Sequence, residues 1–148
     1  MINSHRPIVI LLADDDADDR QLVRDAVAEN RLLNQLHEVA DGEALLDYLF
    51  HRGEYSDLGT SPRPGLILLD LSMPKKDGRE ALAEIKGDPQ LRQIPVIVMT
   101  TSSAEEDVCR SYDLGASSYI TKPVSFTRLI EVMQAIERYW FEIVELPA

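Results

Sequence analysis

The sequence of 148 residues lacks the features that are typical of secreted and membrane proteins. Its one cysteine, Cys109, excludes an internal disulfide and a cysteine-based zinc cluster. The longest apolar runs, 8–13 and 96–99, are far shorter than the roughly 20 residues of a membrane-spanning helix. The first seven residues show no basic stretch followed by a long apolar one, so we expect no secretion signal. These absences predict a cytoplasmic protein without a membrane partner.

Basic residues are scarce as well. There are 15 Lys and Arg against 26 Asp and Glu, which gives a net charge of −11. Because an acidic surface repels phosphate backbones, direct binding to nucleic acid is disfavoured. Hydrophobic residues make up 45% of the chain, too many for a disordered acidic protein. We therefore expect one folded domain, and the run of aspartates in 14–19 is the feature that requires an explanation.

Apolar runs alternate with helical patterns along the chain, which is the main structural signal. The predicted strands are 8–13, 36–40, 66–69, 96–99 and 118–121. The predicted helices are 18–30, 43–50, 79–86, 105–114 and 125–140, with Leu45, Leu46, Leu49 and Phe50 on one side of the second. Residues 51–65 contain three Gly and two Pro and are predicted to form a long loop. Strict alternation indicates a parallel sheet covered by helices on both faces.

Polar side chains follow the apolar runs at the points where the predicted strands end. Asp14 and Asp15 follow the first strand, Asp70 the third, Thr100 the fourth and Lys122 the fifth. Because open α/β sheets bind ligands at the carboxyl ends of their strands, we expect these residues to meet at one edge.

Carboxylates in that number are suited to Mg²⁺, which takes hard oxygen ligands. Helix capping is the alternative explanation, and it accounts well for Asp18 and Asp19. It does not account for Asp14 and Asp15 at the end of the strand, because clustered carboxylates repel one another unless a cation neutralises them. The position of Asp16 suggests no role.

Asp70 has two interpretations. It is either a turn residue that ends a strand or a nucleophile toward a phosphoryl group. In the second case Mg²⁺ and Lys122 would neutralise the phosphoryl oxygens. The other strand-end residues favour the second interpretation.

Four stretches together resemble the receiver domain of two-component response regulators. They are 11–16 (Leu-Leu-Ala-Asp-Asp-Asp), 68–78 (Leu-Leu-Asp-Leu-Ser-Met-Pro-Lys-Lys-Asp-Gly), 99–101 (Met-Thr-Thr) and 115–123 (Gly-Ala-Ser-Ser-Tyr-Ile-Thr-Lys-Pro). The resemblance implies a flavodoxin-like, doubly wound sheet of five parallel strands in the order 2-1-3-4-5, with five helices, in a single domain. On this basis 1–7 is a lead-in, 8–138 the receiver and 139–148 an apolar C-terminal extension.

The resemblance also implies the roles of the acidic residues. Asp70 would be the phosphoacceptor and would share a Mg²⁺ ion with three other groups. Asp15 would bind the ion directly, Asp14 through coordinated water, and Ser72 through its main-chain carbonyl.

Three further residues would respond to the phosphoryl group in such a domain. Lys122 would contact it, and Thr100 and Tyr119 would form the switch pair. The hydroxyl would swing toward the phosphoryl group while the aromatic ring turns inward, so that a charge-assisted hydrogen bond biases a two-state element.

The long loop over 51–65, the stretch 73–78 and the C-terminal tail resemble single-domain regulators that are partnered with bacterial, cyanobacterial-type phytochrome kinases. The implied phosphoryl donor is therefore a sensor histidine kinase, and within that class a phytochrome. Such a receiver is a switch and not a turnover enzyme, since it catalyses only its own phosphorylation and dephosphorylation.

The C-terminal residues are too apolar for a free solvated tail. They either complete the last helix and pack on their own domain or form a homodimer contact, and we favour the dimer. The candidate anchors are Trp140, Phe141, Ile143 and Val144. Phe126 either joins that surface or belongs to the core.

Two rival functions remain at this stage. A Mg²⁺-dependent aspartyl-phosphate phosphatase typically has an acid two positions after its nucleophile, and here that position is Ser72. A pseudo-receiver that acts only as a protein-interaction module would not need an intact set of Asp15, Asp70 and Lys122. Both are less favoured than a phosphoacceptor receiver.

Overall fold

A computed structural model describes residues 9–29, 35–101, 108, 112–122 and 125–138. The strands in these ranges are β1 (Val9–Ala13), β2 (Gln35–Val39), β3 (Leu66–Leu69), β4 (Val96–Thr100) and β5 (Ser118–Thr121). The helices are α1 (Ala17–Glu29), α2 (Gly42–Leu49), α3 (Gly78–Gly87) and α4 (Phe126–Arg138), with a 3₁₀ turn at Gly53–Tyr55 in the long loop. None of the helices in the described ranges is long and apolar enough to cross a membrane.

All five strands run parallel, in the order β2-β1-β3-β4-β5. This order confirms the expected doubly wound sheet. The strand order reverses between β1 and β3, and a reversal of this kind opens a crevice at the carboxyl ends of the strands. The helix predicted over 105–114 falls largely outside the described residues, although Val108, Tyr112 and Asp113 have helical backbone.

Alternate side chains of the central strands point to opposite faces of the sheet, and each face has its own apolar cluster. On one face, Leu11 and Leu69 pack with side chains of α2 and α3. On the other face, Leu12 and Leu68 pack with side chains of α1 and α4. All residues of β3 and β4 are buried, as expected for parallel strands covered on both sides. Asp14 and Asp70 therefore follow strands that are almost entirely buried.

The prediction that Phe50 lies on the buried side of α2 is wrong. Phe50 is 38% exposed, and the guanidinium of Arg52 lies 5.1 Å from its ring centroid. Tyr48 fills the core in its place, and its hydroxyl donates a hydrogen bond to the carbonyl oxygen of Pro62 at 2.8 Å. Leu45, Leu46 and Leu49 are buried as expected, but α2 ends at Leu49, so Phe50 lies beyond the helix at its C-cap.

Candidate functional site at the carboxyl edge of the sheet

Asp14 and Asp70 follow the adjacent strands β1 and β3, and each is held by a hydrogen bond that continues the pairing of its strand. The amide of Asp14 donates to the carbonyl of Val39 at 3.1 Å, and the amide of Asp70 donates to that of Ala13 at 2.9 Å. Asp14 is 1% exposed and Asp70 is 7% exposed. The sheet thus presents two buried carboxylates side by side at its carboxyl edge.

Asp15 completes an acidic group with these two residues. One carboxylate oxygen each of Asp14, Asp15 and Asp70 lies within 4.8 Å of the other two. Asp15 is exposed, so the group opens to solvent on one side. An all-oxygen, strongly anionic donor set of this size fits a hard divalent cation such as Mg²⁺. The amide of Ser72 donates to Oδ1 of Asp70 at 3.1 Å and orients that carboxylate.

Lys122 lies at the centre of the acidic group, although it is the residue farthest from the others in sequence. Its ammonium nitrogen is 2.6 Å from Oδ2 of Asp14, 2.7 Å from Oδ2 of Asp19 and 3.3 Å from Oδ2 of Asp70. Its side chain is 8% exposed, and its amide donates to the carbonyl of Thr100 at 2.7 Å. The three N–H donors of the ammonium are thus matched by three carboxylates.

Burial and pairing compete in setting the charges of this cluster. Burial raises the pKa of Asp14 above its ordinary value, and hydrogen bonds from Lys122 and the Asp16 amide only partly oppose it. Burial by itself would lower the pKa of Lys122, but its bonds to Asp14 and Asp19 outweigh that effect and raise it. Lys122 therefore keeps its positive charge, and a second cation near Asp14 would stabilise the ionised form of that carboxylate.

Two aspartates of the run have roles that the sequence analysis missed. Oδ1 of Asp16 accepts hydrogen bonds from the amides of Asp18 at 2.8 Å and Asp19 at 3.4 Å, which makes Asp16 the N-cap of α1. A sequence signal for this role existed, because aspartate is a preferred N-cap residue and Asp16 stands just before the predicted helix 18–30. Asp18 and Asp19 lie in the first turn of the helix, as predicted, but no sequence signal indicated the bond between Asp19 and Lys122.

Arg20 is a further residue that the sequence analysis did not single out. Its Nη1 donates to the carbonyl oxygen of Asp14 at 2.7 Å, and its Nε lies 3.3 Å from Oε1 of Glu38. It therefore ties the backbone beside the acidic group to β2.

Thr100 and Tyr119 lie on the adjacent strands β4 and β5. Thr100 is fully buried, and its hydroxyl oxygen has no hydrogen-bond partner among the described residues. Tyr119 is partly buried and packs against the apolar cluster on the face of α2 and α3. Since a buried hydroxyl without a partner is costly, Thr100 is ready to accept or donate a bond to an added group.

The turn after Asp70 depends on a glycine. The amide of Gly78 donates to the carbonyl of Leu71 at 2.8 Å, and α3 starts directly against this backbone. A Cβ atom on Gly78 would lie 2.4 Å from the carbonyl oxygen of Asp70 and 2.6 Å from the Cα of Leu71. The carboxylate of Asp77 caps the helix by accepting from the amide of Arg79 at 3.1 Å.

The suggested dimer residues are only partly within the described ranges. Phe126 is 38% exposed at the start of α4, so the alternative that it belongs to the core is wrong. The other candidates, Trp140, Phe141, Ile143 and Val144, lie outside the described residues.

Comparison with known proteins identifies the family to which a chain with these acids, lysine and threonine belongs. Residues 10–134 match the family model described as "Response regulator receiver domain". The chain belongs to the response regulator receiver family. The strand order and the residues at the carboxyl edge agree with the resemblance drawn from the four sequence stretches.

One curated relative matches this receiver over nearly its whole length. Response regulator Rcp1 of Synechocystis sp. is 47% identical over 145 residues, which are 98% of this chain and 97% of Rcp1. The crystal structure of the Mn²⁺-bound form of Rcp1 covers 96% of this chain and 100% of its own, with a TM-score of 0.83.

A second structural relative is the phosphorylated cyanobacterial phytochrome response regulator RcpA. It is 42% identical, with 97% of this chain and 100% of RcpA covered and a TM-score of 0.85. The bacteriophytochrome response regulator RtBRR is 37% identical, with 96% and 85% covered and a TM-score of 0.78. The chain is thus a signalling receiver of a phosphorelay, homologous to phytochrome response regulators.

Proposed function

We propose that this receiver takes a phosphoryl group on Asp70 from a sensor histidine kinase with Mg²⁺ present. One observation carries the proposal. The ammonium of Lys122 bonds to both Asp14 and Asp70, across separations of 108 and 52 residues in sequence. This contact supports the proposal, because a transferred phosphoryl group requires a cation beside the nucleophile.

The transfer is a displacement at phosphorus. A carboxylate oxygen of Asp70 forms the new P–O bond, and the P–N bond of the kinase phosphohistidine breaks. The imidazole nitrogen keeps the electron pair of the broken bond and takes up a proton, which leaves an acyl phosphate on Asp70. The amide of Ser72 holds the carboxylate in place through Oδ1, and Lys122 lies on the side of Oδ2.

The carboxylates of Asp14, Asp15 and Asp70 and the main-chain carbonyl of Ser72 would hold the metal ion. Mg²⁺ bound there would neutralise charge on the transferring phosphoryl oxygens. The donor chemistry supports this choice, since three carboxylate oxygens converge within 4.8 Å at a partly open edge. The related Rcp1 has a structure in a Mn²⁺-bound form, which supports the binding of a divalent cation by this receiver.

Thr100 and Tyr119 would carry the switch. The buried hydroxyl of Thr100 has no partner among the described residues, and a phosphoryl oxygen would supply one through a charge-assisted bond. Movement of this hydroxyl would free space behind it, into which the ring of Tyr119 turns. As a consequence, the surface formed by the helix predicted over 105–114, β5 and α4 would change.

The cognate kinase in this proposal is a bacterial phytochrome, and the support is the identity with RcpA and RtBRR, whose names describe phytochrome regulators. The proposal further includes a receiver over 8–138, a cytoplasmic location and a homodimer contact made by the extension over 139–148 with Phe126. The net charge of −11 supports the absence of direct nucleic-acid binding.

Phosphotransfer from a phosphorylated phytochrome kinase tests the proposal. Wild-type protein should take up label within minutes with Mg²⁺ and lose almost all uptake with a chelator, whereas Asp70→Asn should take up none. The matched control is Asp18→Asn, which removes an exposed carboxylate of the first turn of α1 and should label like wild type. Equal labelling of wild type and Asp70→Asn would refute the proposal, and no uptake by wild type would favour a pseudo-receiver.

A further inference from the structure

Asp19 touches the lysine of the site without belonging to its metal pocket. Its Oδ2 lies 2.7 Å from the ammonium of Lys122, and its side chain is 32% exposed. Among the described residues, the acids whose oxygens converge tightly enough to hold a metal ion are Asp14, Asp15 and Asp70. Asp19 therefore binds the ammonium from outside that group.

The lysine and a divalent cation need the same oxygen atoms. Lys122 donates to Oδ2 of Asp14 and Oδ2 of Asp70, and both carboxylates belong to the metal pocket. Two cations attracted to one pair of carboxylates compete, and each also repels the other. A cation can enter the pocket most easily if the ammonium retains a partner when it gives up these two oxygens.

Asp19 supplies that partner. With Asp19 ionised, the ammonium stays paired in a largely buried place when Asp14 and Asp70 turn toward a metal ion. Without the Asp19 charge, the ammonium has only the two pocket carboxylates as anionic partners among its three hydrogen-bond acceptors, and it would hold them more tightly. Loss of the Asp19 charge would therefore weaken metal binding in two ways. One negative charge near the pocket disappears, and Lys122 competes more strongly for the oxygens of Asp14 and Asp70.

We propose that Asp19 is a positioning residue that raises the divalent-cation affinity of the pocket by holding Lys122 at its outer side. The inference rests on the proposed function, since it requires that Asp14, Asp15 and Asp70 bind the cation. Asp19 does not touch the metal or the phosphoryl group, so its effect passes through Lys122.

Titration of the full chain with Mn²⁺, followed by electron paramagnetic resonance of the free ion, tests the inference. Asp19→Asn should weaken Mn²⁺ binding by about threefold to tenfold, the size expected for one partly exposed charge acting on a neighbour. Asp19→Glu should restore the affinity to within about twofold of wild type. Urea unfolding of each variant confirms that it is folded under the titration conditions.

Two controls separate this role from a general loss of negative charge. Asp18→Asn removes the adjacent first-turn acid, which is exposed and is not a partner of Lys122. It should bind Mn²⁺ like wild type. In a Lys122→Met background, Asp19→Asn should have little further effect, because the residue through which it acts is gone.

The outcomes are distinct. If wild type binds no Mn²⁺, the proposed function fails before the inference is tested. If wild type binds and Asp19→Asn binds equally well, the inference is wrong and the proposed function stands. The inference is also overturned if Asp18→Asn weakens binding as much as Asp19→Asn, or if the effect of Asp19→Asn persists unchanged without Lys122.

Discussion

Two clusters of paired charges lie close together in this receiver, and the pKa of an acid is shifted in opposite directions in the two clusters. At the carboxyl edge, Lys122 bonds to buried carboxylates and is 8% exposed. On the outer surface of α1 and β2, Arg24 makes two bonds to Glu38 at 2.7 and 2.9 Å, with 45% of the arginine side chain and 23% of the glutamate side chain exposed. The pKa of Asp14 is raised, mainly by burial, whereas that of Glu38 is lowered, mainly by its hydrogen bond with Arg24.

The difference shows what burial does to a pairing of opposite charges. Near water an ion pair costs little to form, so the attraction determines the pKa, but its net contribution to stability is small. In the buried site desolvation exceeds the attraction, and an acid remains that gains from further positive charge. The surface pair therefore contributes little to stability, and the buried cluster keeps an attraction for a further cation.

The largest expected effect comes from removing the buried cation. Lys122→Met leaves Asp14 and Asp70 buried without their shared partner, so the metal-free protein should lose about 3 kcal/mol of unfolding free energy at neutral pH. Added Mg²⁺ should restore part of that loss. Urea denaturation with and without Mg²⁺ measures both effects, and Lys75→Met serves as an exposed control. A Lys122→Met protein as stable as wild type in the absence of metal would contradict the account of the buried cluster.

A somewhat smaller effect is expected when Asp70 is displaced without a change of charge. In Gly78→Ala the new Cβ would lie 2.4 Å from the carbonyl oxygen of Asp70, and relieving that clash should cost about 1–3 kcal/mol. Gly87→Ala at the end of the same helix is the matched control, because nothing lies within 4 Å of a Cβ there. Thermal unfolding should separate the two variants, and equal midpoints would show that the close approach is easily relieved.

The opposite pKa directions predict opposite responses to acid. The lowered pKa of Glu38 means that its pair stabilises the fold above about pH 4.5 and that this contribution is lost as pH falls below that value. The raised pKa of Asp14 means that its ionisation costs stability as pH rises from about 3.8 through the raised pKa. In metal-free protein, Glu38→Gln should flatten the loss of stability on the acid side, whereas Asp14→Asn should steepen it. Urea unfolding midpoints measured from pH 3 to 6 test both, and slopes that change in the same direction would refute the comparison.

The smallest effect should come from the surface pair itself. Arg24→Gln should lower the melting temperature at pH 7 by no more than about 3 °C, because the pair is exposed and screened by salt. Mn²⁺ affinity should stay at the wild-type value. A loss of stability close to that of Lys122→Met would show that the two clusters do not differ in the way proposed.

Much of the fold and the core of the site were predictable from the sequence. Buried parallel strands are continuous apolar runs, so their ends were visible where Asp14 and Asp70 begin. Parallel topology then brings those ends to one edge regardless of the details of the helices. The position of Lys122 at the same edge followed from its place after the fifth apolar run.

The parts that escaped prediction depend on rotations and on side-chain reach. The orientation of α1 on the sheet determines whether Asp18 or Asp19 faces Lys122. The local sequence around these two residues does not reveal that orientation. The outward Phe50 follows from the end of α2 at Leu49, and the burial of Tyr48 involves a bond to the carbonyl of Pro62 in an irregular loop. Only the cap made by Asp16 had a local sequence signal, since aspartate is a preferred N-cap residue just before a predicted helix.

The most direct test of the central claim is to locate the phosphoryl group chemically. After phosphotransfer in Mg²⁺, borohydride reduces an acyl phosphate on aspartate to homoserine, and tandem mass spectrometry of the digested protein identifies the converted residue. We predict homoserine at position 70, at a level that falls to background in the presence of a chelator. Conversion at Asp14, Asp15 or another acid instead of Asp70, or none despite retained label, would contradict the assignment of Asp70 as the phosphoacceptor.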